Sequence, residues 1–81
     1  GDAFIAFPGG TGTLEEITEV ISKLSLGQLD APCILYDLNG YYRPLHQLLQ
    51  QMIAMGLSTP ARQRKIAFAA DLAQIRAILE K

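Results

Sequence analysis

The residues best equipped for chemistry lie together near the start of the chain, in Pro8-Gly9-Gly10-Thr11-Gly12-Thr13-Leu14-Glu15-Glu16. Three glycines within four positions let a backbone turn sharply and bring its N–H groups against a ligand with no Cβ in the way. Thr11 and Thr13 add hydroxyl donors. Helical periodicity begins at once, and a helix start offers unpaired N–H groups and the positive end of the helix dipole, a combination that suits phosphate. A plain strand-to-helix turn would not require so many glycines, each costly in backbone entropy. Glu16 is the second centre of interest. On a helix it lies beside Val20, at the margin of the apolar stripe, and is expected to project over the strand ends near whatever the loop holds. A carboxylate there can orient a ribose, stabilise an oxocarbenium-like centre or polarise a water. The spacing Thr13-Leu14-Glu15-Glu16 also reads as a capping box, in which Glu16 only closes the helix N-terminus. Spacing leaves both roles open.

Two common phosphate motifs do not fit. A P-loop places Lys and Ser/Thr directly after its last glycine, and no lysine follows Gly9, Gly10 or Gly12. The dinucleotide fingerprint G-x-G-x-x-G can begin at Gly10, but Glu15 stands where its third glycine belongs. Other reactive side chains have plainer readings. Glu15 and Glu19 face solvent, and Glu19 and Lys23 are spaced to pair one helical turn apart. His46 sits off the apolar stripe of its helix, as a surface residue does. Tyr41 and Tyr42 either line a cleft at the strand ends or simply pack. Arg62, Arg64 and Lys65 read as a solvated basic loop. Cys33, the single cysteine, excludes an internal disulfide, reads as a small buried strand residue and suits a reducing cytoplasm.

The elements that position these residues follow from local pattern. Residues 3–7 form a short apolar strand, and residues 12–26 a helix with Leu14, Ile17, Val20, Ile21 and Leu24 on one face and Gly27 as its stop. Pro32 leads into a second strand, Cys33-Ile34-Leu35-Tyr36, and Asn39-Gly40 marks a turn. A second helix spans residues 42–55, with Pro44 in its first turn, Leu45, Leu48, Leu49, Met52 and Met55 as its stripe, and Gly56 closing it. Residues 65–69 make a weaker third strand. Asp71 caps a last helix that buries Leu72, Ile75, Ile78 and Leu79. The order βαβαβα predicts an α/β, Rossmann-like fold with a parallel sheet and right-handed crossovers.

Bulk properties narrow the class. A chain of 81 residues, 49% hydrophobic with a net charge of −1, is one small globular unit. No basic patch stands out, so nucleic acid is not an expected partner. No apolar run approaches the roughly 20 residues that span a bilayer, and no basic leader precedes an apolar stretch; a cytoplasmic protein with no membrane partner is expected. The chain starts at Gly1 directly before its most buried-looking strand, and three parallel strands leave two open edges. The expectation is the second half of a larger doubly wound domain, completed by the remaining half, a swapped neighbour or a close oligomer.

Pro8-Gly9-Gly10-Thr11-Gly12-Thr13-Leu14-Glu15-Glu16 resembles the PGGxGTxxE motif of the LONELY GUY (LOG) family throughout. Asp2-Ala3-Phe4 before it and Asn39-Gly40-Tyr41-Tyr42-x-Pro44-Leu45 after it are also similar to that family. Its members carry the label "possible lysine decarboxylase" and resemble cytokinin riboside 5′-monophosphate phosphoribohydrolases. The resemblance implies that residues 1–81 are one partial Rossmann-like LOG domain with its nucleotide-phosphate loop at residues 8–16. It implies hydrolysis of the N-glycosidic bond of AMP or an N6-substituted AMP, giving free base and ribose 5-phosphate, by a homodimer or larger assembly. Gly9, Gly10, Thr11, Gly12 and Thr13 would hold the 5′-phosphate of the nucleoside monophosphate, and Glu16 would be the catalytic carboxylate. No cofactor and no metal are expected. The family's catalytic arginine belongs to an upstream segment that these residues do not include, so the chain alone is expected to be weak or inactive. Arg43 stands where relatives often carry an acidic residue. An alternative within the same fold is a carrier of a phosphate ligand or molybdenum cofactor that hydrolyses nothing. A third reading is an assembly or swapped half without a ligand.

Overall fold

The computed structural model describes residues 3–80. Asp2, part of the second resemblance, lies outside the described residues. The elements follow the order β1 (Phe4–Ala6), α1 (Thr11–Ser25), β2 (Cys33–Tyr36), a 3-10 turn at Leu38–Gly40, α2 (Arg43–Ala54), β3 (Ile66–Ala69) and α3 (Leu72–Leu79). The strands form one parallel sheet in the order β1-β2-β3. Ile5 stands opposite Ile34, and Ile34 opposite Ala67. This is the α/β, Rossmann-like arrangement that the sequence predicts.

The central strand explains its own composition. Cys33, Ile34 and Leu35 are completely buried, as a strand covered on both faces and paired on both edges must be. Alternation then sorts the core into two clusters. Ala6, Cys33 and Leu35 face Ile17 of α1 and Tyr42 at the start of α2, with Val20, Ile21, Leu24 and Leu45 packed around them. Ile34 and Ala69 face Ile75 of α3 on the other side, with Ile5, Tyr36 and Ile78. Both crossover helices thus share one face, as right-handed connections between successive parallel neighbours require. His46 is exposed, in line with its sequence reading, yet its ring stacks on Phe68 with centroids 4.2 Å apart.

Helix ends are set locally. Gly27 and Gly56 take positive φ, +74° and +77°, where a Cβ would be strained. Each closes its helix with a paired reverse bond. The N–H groups of Gln28 and Gly27 donate to Lys23 and Leu24 carbonyls at 2.8 and 3.2 Å. Those of Leu57 and Gly56 donate to Met52 and Ile53 at 2.8 and 3.1 Å.

Several apolar positions expected in the core are exposed instead: Leu14, Leu48, Met55, Leu72 and Leu79. The sheet is too small to cover them. A 15-residue helix is about 22 Å long at the helical rise, whereas a four-residue strand reaches only about 13 Å. Among the described residues β1 and β3 each pair along one edge only. No described helix is long and apolar enough to cross a membrane.

Candidate functional site

Parallel neighbours place the carboxyl ends of β1 and β2 side by side, and the segments that leave them build the site. After β1 the chain runs through Phe7, Pro8 and Gly9 to Gly10, the N-cap of α1, in an extended conformation (φ −97°, ψ −153°). The first bond within α1 runs from the Leu14 N–H to the Gly10 carbonyl at 3.1 Å. The N–H groups of Thr11, Gly12 and Thr13 are therefore outside the helical ladder, and no side chain caps them. This corrects the capping-box reading. Thr13 is the third residue of α1 rather than its N-cap, so Glu16 is not positioned to close the box with it.

The loop glycines divide by what the fold demands. A Cβ at Gly9 would collide with the Thr13 hydroxyl oxygen and stand 2.9 Å from the Thr13 Cβ. At Gly10 and Gly12 a Cβ would meet nothing within 4 Å, and neither residue has positive φ. The fold itself asks for glycine only at Gly9.

After β2, Asp37 opens the turn that brings in two tyrosines. Its backbone N–H donates to the Ala69 carbonyl at 2.8 Å, which continues the sheet. Its Oδ1 accepts the Tyr42 N–H at 2.7 Å. Between them Asn39 and Gly40 take positive φ, +54° and +74°, a conformation that Asn and Gly adopt at least cost. Tyr42 is buried and its hydroxyl donates to the Phe7 carbonyl at 2.6 Å. The exposed Tyr41 donates its hydroxyl to the Gly9 carbonyl. The two rings meet edge to face at 5.1 Å. Burial, and secondarily the neighbouring Tyr41, push the Tyr42 hydroxyl above its ordinary pKa, which keeps it a neutral donor.

Two hollows flank the loop. The first, about 320 Å³, is lined by Gly9, Gly10, Thr11 and Leu14 together with Tyr41 and Leu45. The second, about 250 Å³, runs along β1 and Pro8 and is lined by Thr13 and Glu16. Helical geometry explains the division, because residues 11 and 14 lie roughly opposite residues 13 and 16 at about 100° per residue. Glu16 is exposed and lines the second hollow beside β1 and Pro8, where the expectation is a side chain over the strand ends, near whatever the loop holds. Gly12 lines neither hollow. Sequence reasoning left the tyrosines undecided; the Asn-Gly turn after β2 was the available signal.

The remaining reactive groups lie elsewhere. Cys33 is buried within β2, and burial pushes its thiol up to about 11. Glu19 and Lys23 form an exposed ion pair at 3.3 Å. Lys65 reaches Asp30 at 3.5 Å, at the opposite end of the sheet from the loop. Among the described residues no group of His, Cys, Asp and Glu could hold a metal ion.

Comparison with known proteins fits this geometry. The chain is 43% identical over 72 residues to a cytokinin riboside 5′-monophosphate phosphoribohydrolase of Rhodococcoides fascians, covering 89% of this chain and 36% of the relative. It is 49% identical over 63 residues to one such enzyme of Arabidopsis thaliana, covering 76% and 29%. To another from the same plant it is 39% identical over 80 residues, covering 99% and 37%. The chain thus spans between 29% and 37% of the length of these relatives. A family model described as "possible lysine decarboxylase" matches residues 1–79. With motif, fold and relatives in agreement, the chain belongs to that family, known as LONELY GUY.

Proposed function

We propose that the intact protein hydrolyses the N-glycosidic bond of AMP or an N6-substituted AMP, releasing free base and ribose 5-phosphate. The relatives' shared name supports this reaction. The observation that carries the site assignment is the uncapped start of α1 beside glycines that the fold does not need. Backbone N–H groups of Gly9, Gly10, Thr11, Gly12 and Thr13, with the two threonine hydroxyls, hold the 5′-phosphate; the bare Cα atoms of Gly10 and Gly12 let its oxygens approach.

Glu16 is the catalytic carboxylate. It has no ion-pair partner among the described residues and no capping role, so its charge is available to a ligand. As the bond from C1′ to the base breaks, positive charge gathers at C1′, and a carboxylate beside it lowers that barrier. Water adds at C1′ and gives up a proton, while the base leaves with the bonding electrons and takes one. Decarboxylation of lysine has less support. The described lysines, Lys23 and Lys65, are engaged in surface ion pairs far along the sheet from the loop, and neither serves as an anchored amine.

Residues beyond this chain complete the site, the arginine implied by the family resemblance among them. The unpaired edge of β1 and the adjacent hollow holding Glu16 are where further structure or a second subunit would close it, in a homodimer or larger assembly. A buried free thiol suits a cytoplasmic setting.

The test is chromatography of free adenine and N6-isopentenyladenine after incubating the intact protein with the matching 5′-monophosphates, beside a Glu16→Gln variant. Base release that disappears in the variant supports the assignment. Tight binding of a phosphate ligand without base release would move the protein to the carrier class.

A further inference from the structure

The Gly9-Gly10 peptide joins the two adjacent glycines of the loop. A peptide between two glycines can rotate as a plate through ψ of one and φ of the next, with no Cβ on either side to resist. Because the unit is planar and trans, its C=O and N–H point in opposite directions. One orientation turns the Gly10 N–H toward a given side; the other puts the Gly9 carbonyl oxygen there. An anion is attracted by the first and repelled by the second.

One hydrogen bond in the structure bears on which orientation is adopted. The Tyr41 hydroxyl donates to the Gly9 carbonyl oxygen, so the carbonyl is committed to the tyrosine side. The Phe7-Pro8 peptide, two peptides earlier, is held in the same manner, by the Tyr42 hydroxyl on the Phe7 carbonyl at 2.6 Å. Pro8, between the two carbonyl-bearing residues Phe7 and Gly9, has a fixed φ and no N–H to offer. Both tyrosines are themselves placed by the Asp37 turn, through the Tyr42 N–H on Asp37 Oδ1 and the Tyr41 N–H on the Leu38 carbonyl at 3.0 Å.

We propose that Tyr41 is a positioning residue. Its hydroxyl locks the Gly9-Gly10 peptide with the carbonyl toward the tyrosine, and thereby presents the Gly10 N–H on the opposite side to a phosphate oxygen. The presentation rests on the phosphate reading above; the lock does not.

Residual dipolar couplings of the isotopically labelled intact protein report the orientation of this peptide plane without any ligand. The parent is expected to show one orientation, and Tyr41→Phe couplings averaged between two. Unchanged couplings in Tyr41→Phe overturn the lock. Tyr42→Phe serves as control: it is expected to lower the thermal midpoint while leaving the Gly9-Gly10 plane as it was. A plane equally disturbed by Tyr42→Phe overturns the assignment to Tyr41. Titration with AMP, followed at the Gly10 amide, then reads the consequence. Tyr41→Phe is expected to bind about fivefold more weakly, on the scale of one neutral hydrogen bond, with little change in thermal midpoint. Equal affinity in both proteins overturns the presentation role. Absence of any AMP response in the parent counts against the phosphate reading, and the couplings still decide the lock.

Discussion

Gly9 lies so close against Thr13 that a Cβ there would overlap the threonine hydroxyl and stand 2.9 Å from its Cβ, whereas at Gly12 a Cβ would meet nothing within 4 Å. Two glycines of one motif therefore answer to different demands. Gly9→Ala forces Thr13 aside and is expected to destabilise the fold by about 1–3 kcal/mol, the range for overpacking. Gly12→Ala removes a flexible residue from the first turn of α1 and is expected to stabilise the fold by about 0.5 kcal/mol. If Gly12 belongs to the proposed phosphate site, the same methyl group obstructs it, and affinity for AMP is expected to fall. Thermal unfolding and AMP titration of both variants check this. A Gly12→Ala variant that binds AMP as the parent does would remove Gly12 from the site.

Glu16 is exposed and caps nothing. Glu16→Gln is therefore expected to leave stability within about 0.5 kcal/mol of the parent, as for other surface substitutions. Base release by the intact protein is expected to be abolished by the same change. Differential unfolding together with the base-release assay tests the pair. A clear loss of stability would restore a structural role that the geometry assigns to no bond.

How much of this was legible in the sequence depends on how local each cause is. The order of elements, the glycine stops at Gly27 and Gly56 and the Asp71 cap all follow from residues within one turn of each other. The start of α1 does not. Thr13-Leu14-Glu15-Glu16 has the spacing of a capping box, but the helix begins earlier, behind an extended Gly10. The strand exit before it is tied to tyrosines 32 and 35 residues away. The exposure of Leu48, Leu72 and Leu79 likewise depends on how much of each helix the small three-stranded sheet covers, which periodicity along one helix cannot report. The glycine run after β1 was plain in the sequence, and the phosphate cradle it suggests remains the proposal made above. Its division of the site into two hollows, with Glu16 apart from Tyr41, required knowing which side of α1 faces β1.

Cys33 supplies a pH test of the core. Burial raises its thiol from the ordinary 9.0 to about 11, so between those values the unfolded chain has lost a proton that the folded chain keeps. Stability is therefore expected to fall as pH rises through this window, by at most about 1.4 kcal/mol per pH unit from this group. Tyr42, also raised, acts in the same direction above its ordinary 10.0. Denaturant unfolding of the parent and of Cys33→Ala across the window isolates the cysteine's share: the parent should lose more with pH than the variant. A thiol reagent at neutral pH is expected to label Cys33 only after unfolding.

The last helix shows how much a single cap can carry. Asp71 Oδ1 accepts the Gln74 N–H at 2.9 Å, and Gln74 Oε1 accepts the Ala70 N–H at 2.7 Å, a reciprocal arrangement of the kind that Thr13 and Glu16 do not make. α3 has only eight residues, fewer than an isolated helix needs for stability in water. Yet Ile75 and Ile78 from this helix pack against Ile34 and Ala69 on its face of the sheet. Asp71→Ala is expected to cost about 1 kcal/mol, lowering the thermal midpoint by about 4–8 °C in a domain of this size. Amide exchange separates a local effect from a global one. Ala70 and Gln74 should exchange faster in the variant well before Ile34 does, because their N–H groups depend directly on the cap. Equal acceleration at all three would mean that α3 and the sheet unfold as one unit, with the cap contributing only to the whole.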